Sequence, residues 1–294
     1  MRKTGDDRLM HIQKSFKQTG ATLFLVSTPI GNLSDMTPRG IEVLKSVAVI
    51  ASEDTRVTKK LCNHFEIKTP LVSYHEHNKH QKTDLMLEHL AAGVDVALVS
   101  DAGMPLISDP GDQLVDKAVA AGFAVVPIPG ASAALTALIA SGLSTGSFFF
   151  HGFLDRQPSK RKKELLSFKD LRATLLFYES PHRVRATLSD MLEVYGNRDV
   201  VIARELTKLY EEFIRGTLEE VVHRLPDIKG EVVLLVAGSS DEETVEAWWE
   251  DMTLTQHVEH YRDTGLKTNA AIKQVASDLK VVRQDVYKSY HTKP

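Results

Sequence analysis

Three apolar runs in the first half of the chain each stop at a short loop that carries proline and glycine. The loops are "STPIGN" at 27–32, "SDAGMPLISDPG" at 100–111 and "PIPGASAA" at 127–134. The runs Thr22–Ser27, Ala48–Ala51 and Val94–Ser100 read as strands, and "FAVVPIPG" as another. Between them, "DTRVTKKLCNHF", the stretch from Pro110 to Gly122 and "ASAALTALIASG" read as helices, and Thr37–Pro38 supplies an N-cap followed by a first-turn proline. Strands that alternate with helices predict a mostly parallel α/β sheet, because parallel neighbours need a crossover between them.

After Gly142 the pattern changes. "SFFFHGFL" opens a new apolar segment, and "ATLLFYES", "DVVIARE" and "GEVVLLVAG" are further strands, with a helix near His182–Tyr195. "EEFIRGTLEEV" reads as a hairpin partner, which predicts a mixed second sheet. Strand signals end at Ser239, where "SSDEETVEAWWEDM" reads as a linker helix, followed by three short helical patterns. The expected organisation is an arm at 1–20, α/β domains at 21–130 and 131–240, and a helical tail domain at 241–294. The tail, with Gly265 in a turn, has the outline of a helix-turn-helix and is a candidate RNA-binding unit.

Net charge is −3, so any role with nucleic acid must rest on local patches. The single cysteine, Cys62, rules out an internal disulfide framework and fits a reducing compartment. The first twenty residues lack the apolar core of a secretory signal, and no apolar run reaches the roughly 20 residues of a membrane span. A cytoplasmic protein is expected.

In open parallel sheets, ligands sit beyond the carboxyl ends of the strands. All three loops leave strands at that edge. Gly31, Gly103 and Gly130 permit close backbone approach or positive φ, while Pro29, Pro105 and Pro129 stiffen the turns. A ligand cleft follows, with Asp101 facing the ligand and Asp109, before Pro110, capping the next helix. No phosphate-loop or dinucleotide fingerprint is present. Gly130–Ala134 mimics a serine-hydrolase elbow with His182 or His223 downstream, but lacks its final glycine, so Ser132 reads more simply as a helix N-terminal residue.

In "SEDTR", Glu53 and Asp54 point to opposite faces, so one caps the helix and the other faces the cleft. His75 and His77 share a strand-face spacing, but a metal site would need a third ligand, and none is expected. "FYESPHR" at 177–183 is a candidate far wall. "RQPSKRKK" holds five cations, Arg156, Lys160, Arg161, Lys162 and Lys163, and is either a solvated face or a phosphate-binding arm.

The motifs "STPIGNLSDMTPRG", "ASEDTR", "HEHN", "LVSDAGMPLISDPG", "PIPGASA", "FYESPHR" and "ARELTK", in this order, resemble the ribosomal RNA small subunit methyltransferase I family of the tetrapyrrole methylase superfamily. The likeness covers about Thr22–Gly238. It implies two α/β domains with S-adenosylmethionine in the cleft between them, and a homodimer. It also implies 2′-O-methylation of a cytidine in the decoding region of 16S ribosomal RNA, on the RNA or the small subunit. By motif, the cofactor would meet Pro29, Ser100, Asp101, Ala102, Gly103, Met104, Ser132, Ala133 and Tyr178. Candidate bases are Glu53, His75 and Glu179, while Arg56 and Arg183 suit phosphates. Met104 stands where the family usually has Thr, and Asp155 where it commonly has Pro. A methylase of a tetrapyrrole or another small acceptor is the alternative within the superfamily.

Overall fold

The computed structural model describes residues 12–15, 20–240, 249, 252–279 and 281–291. The chain divides after Ser239 into two compact units. The first unit contains both sheets, one in each of the two expected α/β regions. The expected linker helix lies almost wholly outside the described residues, as do 1–11 and 16–19 of the expected arm. Within that arm, Gln13 is pinned. Its amide exchanges two 2.9 Å hydrogen bonds with the backbone of Val125 and blunts a sheet edge.

The first sheet is built from β1 (Thr22–Val26), β2 (Val49–Ser52), β3 (Leu71–Ser73), β4 (Val96–Val99) and β5 (Ala124–Ile128). All pairings are parallel, in the order β3-β2-β4-β1-β5. Helices α1 (Pro38–Ser46) and α2 (Thr55–His64) cover one face, where Leu44 and Cys62 meet Val26, Ile50 and Val99. Helices α3 (Lys79–Ala91) and α4 (Asp112–Ala120) cover the other, where Met86, Leu90 and Leu114 meet Leu23, Ala51 and Leu98. Strand alternation sorts the apolar side chains between the two layers. The chain leaving β1 and the chain leaving β4 therefore turn to opposite faces, which opens a crevice between two neighbouring strands. β3 and α3 went unrecognised in the sequence, because three residues of strand are too few to show a period. His75 and His77 consequently lie in the turn after β3 rather than on a strand face.

The second sheet contains β6 (Phe148–Phe153), β7 (Thr174–Glu179), β8 (Asp199–Arg204), β9 (Glu212–Thr217) and β10 (Val232–Val236), in the order β6-β7-β10-β8-β9. Only β6 and β7 are parallel, so the sheet is mixed. Helices α6 (Pro158–Ser167), α7 (Val184–Tyr195) and α8 (Leu218–Arg224) bury one face through Leu165, Leu188 and Val221. Helix α5 (Ala133–Ser141) covers the other, packing Ala137 and Leu138 on Leu176, Val201 and Leu235. Ile30, from the loop after β1, enters that same cluster and joins the two layers.

The basic stretch expected as an arm is the start of α6, with Pro158 at its first turn. Arg161, expected to hold phosphate, is buried. Its guanidinium donates to Asp190 of α7 at 2.6 Å, because helical spacing puts Arg161 and Leu165 on the same inward face.

The second unit consists of α9 (Leu254–Asp263), α10 (Thr268–Asp278) and α11 (Arg283–His291) around Val258, Ile272, Val275 and Val286. Thr253 and Gln256 form a capping box at the start of α9. Asp278 accepts hydrogen bonds from Tyr261 at 2.7 Å and from the ring of His257 at 3.0 Å, which ties α10 to α9.

Candidate functional site

The three loops converge at the carboxyl edge of the first sheet. Thr28 and Gly103 exchange backbone hydrogen bonds of 2.9 and 3.0 Å, locking the loop after β1 to the loop after β4. Gly130 lies so close to the first loop that a Cβ there would stand 2.7 Å from the Cβ of Ser27. Strain is concentrated here: Leu106 and Ser108 adopt φ values of 72° and 66°, in a region L-residues seldom occupy.

Beneath these loops lies a cavity of about 440 Å³, within the range of small-molecule sites. Asp101, Ala102, Gly103 and Met104 line it from the second loop, Ser132 and Ala133 from the start of α5, and Tyr178 and Glu179 from β7. Its apolar surface includes Ile30, Ile107, Leu206 and Val233. Its ionisable groups other than Tyr178 are all carboxyls: Glu53, Asp101, Asp109, Glu179 and Glu231. No Lys, Arg or His is among its lining residues.

Burial raises the pKa of Glu53, with repulsion from Asp101 adding to it and His75 opposing. Asp101 is raised too, first by burial, although it accepts the N–H of Asp54 at 3.0 Å. Asp109 is pushed up to about 6 by burial, then by Glu53 and Asp101, with the Ser100 hydroxyl opposing. Like charges crowded in low dielectric disfavour ionisation, so the wall favours a cationic occupant.

Asp54 is the cap of α2, its carboxyl held down at about 2 by Arg56, and Glu53 turns to the cavity. Arg56 is correspondingly engaged with Asp54 at 2.6 Å, outside the cavity. Pro29 is half-buried and Ser100 buried, and both stand behind the lining. His75 is also outside, its Nε2 beside the Asn78 amide. Ser132 caps α5, its hydroxyl accepting the Leu135 N–H at 3.5 Å, and no histidine is among the cavity's lining residues as a hydrolase would require.

Two expectations are corrected. Asp109 does not cap α4, whose N-cap is Gly111 with no side-chain cap, and it lines the cavity instead. Glu179 makes a poor base because its carboxylate accepts the Thr187 hydroxyl and the Ser180 N–H and lies 3.3 Å from Arg183. Arg183 is likewise committed, donating to the carbonyls of Leu154 and Asp155 at 2.9 and 3.0 Å. On α6, Lys162 pairs with Glu193, while Lys160 and Lys163 are exposed, as is Arg156 in the turn before it.

A second cavity of about 430 Å³ adjoins, lined by Phe153, Leu154, Asp155, Arg156, Gln157 and Arg183. Phe153 belongs to both cavities. Neither it nor Asp109 was expected at the site. Nothing in a period-2 reading of "SFFFHGFL" places Phe153 there.

The family model described as Tetrapyrrole (Corrin/Porphyrin) Methylases matches residues 22–222. The chain is 56% identical over 287 residues to the ribosomal RNA small subunit methyltransferase I of Halalkalibacterium halodurans, covering 96% of this chain and 99% of that one. It is 53% identical over 291 residues to the protein of that name from Bacillus subtilis, covering 97% and 100%. Its fold is shared with a uroporphyrin-III C-methyltransferase from Thermus thermophilus complexed with S-adenosyl homocysteine. That structure has a TM-score of 0.54 at 19% identity and covers 74% of this chain and 97% of its own. A parallel sheet with a loop-built crevice, a mixed second sheet and near-full-length identity above one half agree on one lineage: the chain belongs to the ribosomal RNA small subunit methyltransferase I family of the tetrapyrrole methylases.

Proposed function

We propose that the protein methylates the ribose 2′-hydroxyl of a cytidine in the decoding region of 16S ribosomal RNA. It is a methyltransferase of small-subunit ribosomal RNA that uses S-adenosylmethionine. The observation that carries the chemistry is the trio of carboxyls Glu53, Asp101 and Asp109 crowded on a cavity whose lining holds no Lys, Arg or His, while Glu179 and Glu231 are paired with Arg183 and Lys208. Such a wall suits a sulfonium and an ammonium and repels phosphate-bearing cofactors. The start of α5, at Ser132 and Ala133, offers the positive end of a helix to the ligand's one carboxylate. The residues present therefore fit this cofactor.

When bound, S-adenosylmethionine supplies an activated methyl on a sulfonium. Glu53 and Asp101 favour that cation over the neutral thioether left after transfer, and so favour loading of donor and release of product. Asp109, ionised above about pH 6, accepts the proton of the acceptor hydroxyl. Tyr178 and Met104 exclude water from the reacting atoms.

The protein works as a cytoplasmic homodimer on the RNA or the small subunit. A dimer is supported by α5, which exposes Leu135 and Ile139 one turn apart, and light scattering at micromolar protein should return twice the chain mass. Among the described residues, no helix is long and apolar enough to cross a membrane. The decisive test uses RNA with one 2′-deoxy substitution at the target, which should accept no methyl there. Methylation as fast as in the parent RNA would remove the ribose assignment.

A further inference from the structure

β6 is an edge strand with a bulge. Phe150 pairs with Leu176 and Gly152 with Phe177, so His151 is an extra residue in the ladder. Without it, Phe153 would lie on the opposite face from Phe150, beneath α6. With it, Phe150 and Phe153 share a face although they are three residues apart. Their rings stand 4.9 and 5.6 Å from that of Tyr178. Gly152 makes the bulge at φ 86°, and a Cβ there would come within 2.9 Å of the Ser108 hydroxyl, beside Asp109.

The bulge thus places Phe153, 58% exposed, at the partition between the two cavities. A single exposed aromatic needs no explanation. One aimed by a bulge at the border of an acid-lined cavity does. The turn behind it is held rigidly: Arg183 takes the carbonyls of Leu154 and Asp155, and Arg161 reaches that of Arg156 at 3.5 Å. Arg156 itself is exposed at the cavity.

We propose that the second cavity is the acceptor subsite, where the base of the target nucleotide stacks on Phe153 and its phosphate is met by Arg156. This rests on the reading that the acceptor is a nucleotide of RNA. The first cavity repels phosphate, so the polyanion approaches from the second, and the ribose comes to lie at the partition, next to Asp109. Stacking on Phe153 holds the base out of its RNA context.

The test compares the parent with Phe153→Leu, Phe153→Trp and Arg156→Glu, using 16S RNA or small subunits as substrate and calorimetry for S-adenosylmethionine. Phe153→Leu should lower kcat/KM for RNA by about tenfold or more, in keeping with the loss of one base–aromatic stack. Phe153→Trp should restore it to within about threefold, since the larger ring still stacks. Both should bind S-adenosylmethionine within about twofold of the parent, because Phe153 stands at the border of the first cavity and supplies none of its carboxyls. Arg156→Glu should raise KM for RNA and reduce the salt slope by about one. The proposal fails if Phe153→Leu methylates RNA as well as the parent, or if its loss is matched by an equal loss of cofactor affinity. A parent enzyme that binds cofactor but methylates no ribosomal RNA would overturn the function reading, and the subsite with it. A working parent with an indifferent Phe153 would overturn the subsite alone.

Discussion

The two cavities on either side of Phe153 are almost equal in volume and differ in the charges that line them. One is lined by Glu53, Asp101 and Asp109 with no Lys, Arg or His in its lining, its Glu179 and Glu231 being paired with Arg183 and Lys208, and the other carries exposed Arg156 beside Asp155. A net charge of −3 for the whole chain conceals this division. A two-substrate transfer needs it. The donor is a cation and the acceptor a polyanion, so opposite local fields sort them to opposite sides of one partition. The walls also differ in construction. The acidic one is assembled from strand-end loops locked by backbone hydrogen bonds, and the basic one from a single turn whose carbonyls are held by two arginines.

The largest effect should come from breaking the support of the basic wall. Arg161→Ala leaves Asp190 with only the half-exposed Lys162, 3.5 Å away, and should cost up to about 3 kcal/mol in urea unfolding. It should leave the salt slope of RNA binding unchanged, in contrast to its exposed neighbours. Reversing the acidic wall comes next. Asp101→Lys puts a cation among the remaining carboxyls and should weaken S-adenosylmethionine roughly 100-fold by calorimetry. Unchanged affinity would show that this wall does not face the donor.

Acidity offers a subtler contrast. Asp109 titrates near 6 in the folded protein against an ordinary value of 3.8. Between those values the folded chain holds a proton that the unfolded chain has lost, so this group makes stability fall as pH rises through the window. Asp109→Asn should therefore be more stable than the parent above pH 6 and about equal to it below pH 4. A bound cation favours the ionised carboxyl. Affinity for the donor should thus drop as pH falls below about 6, by up to about tenfold per unit, and Asp109→Asn should flatten that profile. The smallest effect belongs to the surface of α6. Replacing Lys160 and Lys163 with Ala should weaken RNA binding a few-fold and lower the salt slope by up to about two, sparing the donor.

Much of the donor side was legible because its signals are local. Glycine and proline after an apolar run mark a strand-end loop wherever they occur, and adjacent acids in "SEDTR" had to diverge. Asp109 was misread because Asp–Pro–Gly before a helix resembles a cap. Only the capping of α4 by Gly111 leaves its carboxyl to the cavity. The acceptor side was hidden by a single residue, since the His151 bulge reverses the face on which Phe153 emerges and a period-2 reading has no term for it.

The sequence by itself therefore determined the alternation of strands and helices, the parallel first sheet and the loops at its carboxyl edge. These follow from side-chain periodicity and backbone restriction, which act over a few residues. Only the tertiary structure decided which charges are available. Arg161 and Lys163 are two positions apart in one basic run, yet the first is buried against Asp190, 29 residues away, and the second is exposed. A charge is free or committed according to what packs against it, and that neighbour is supplied by the fold.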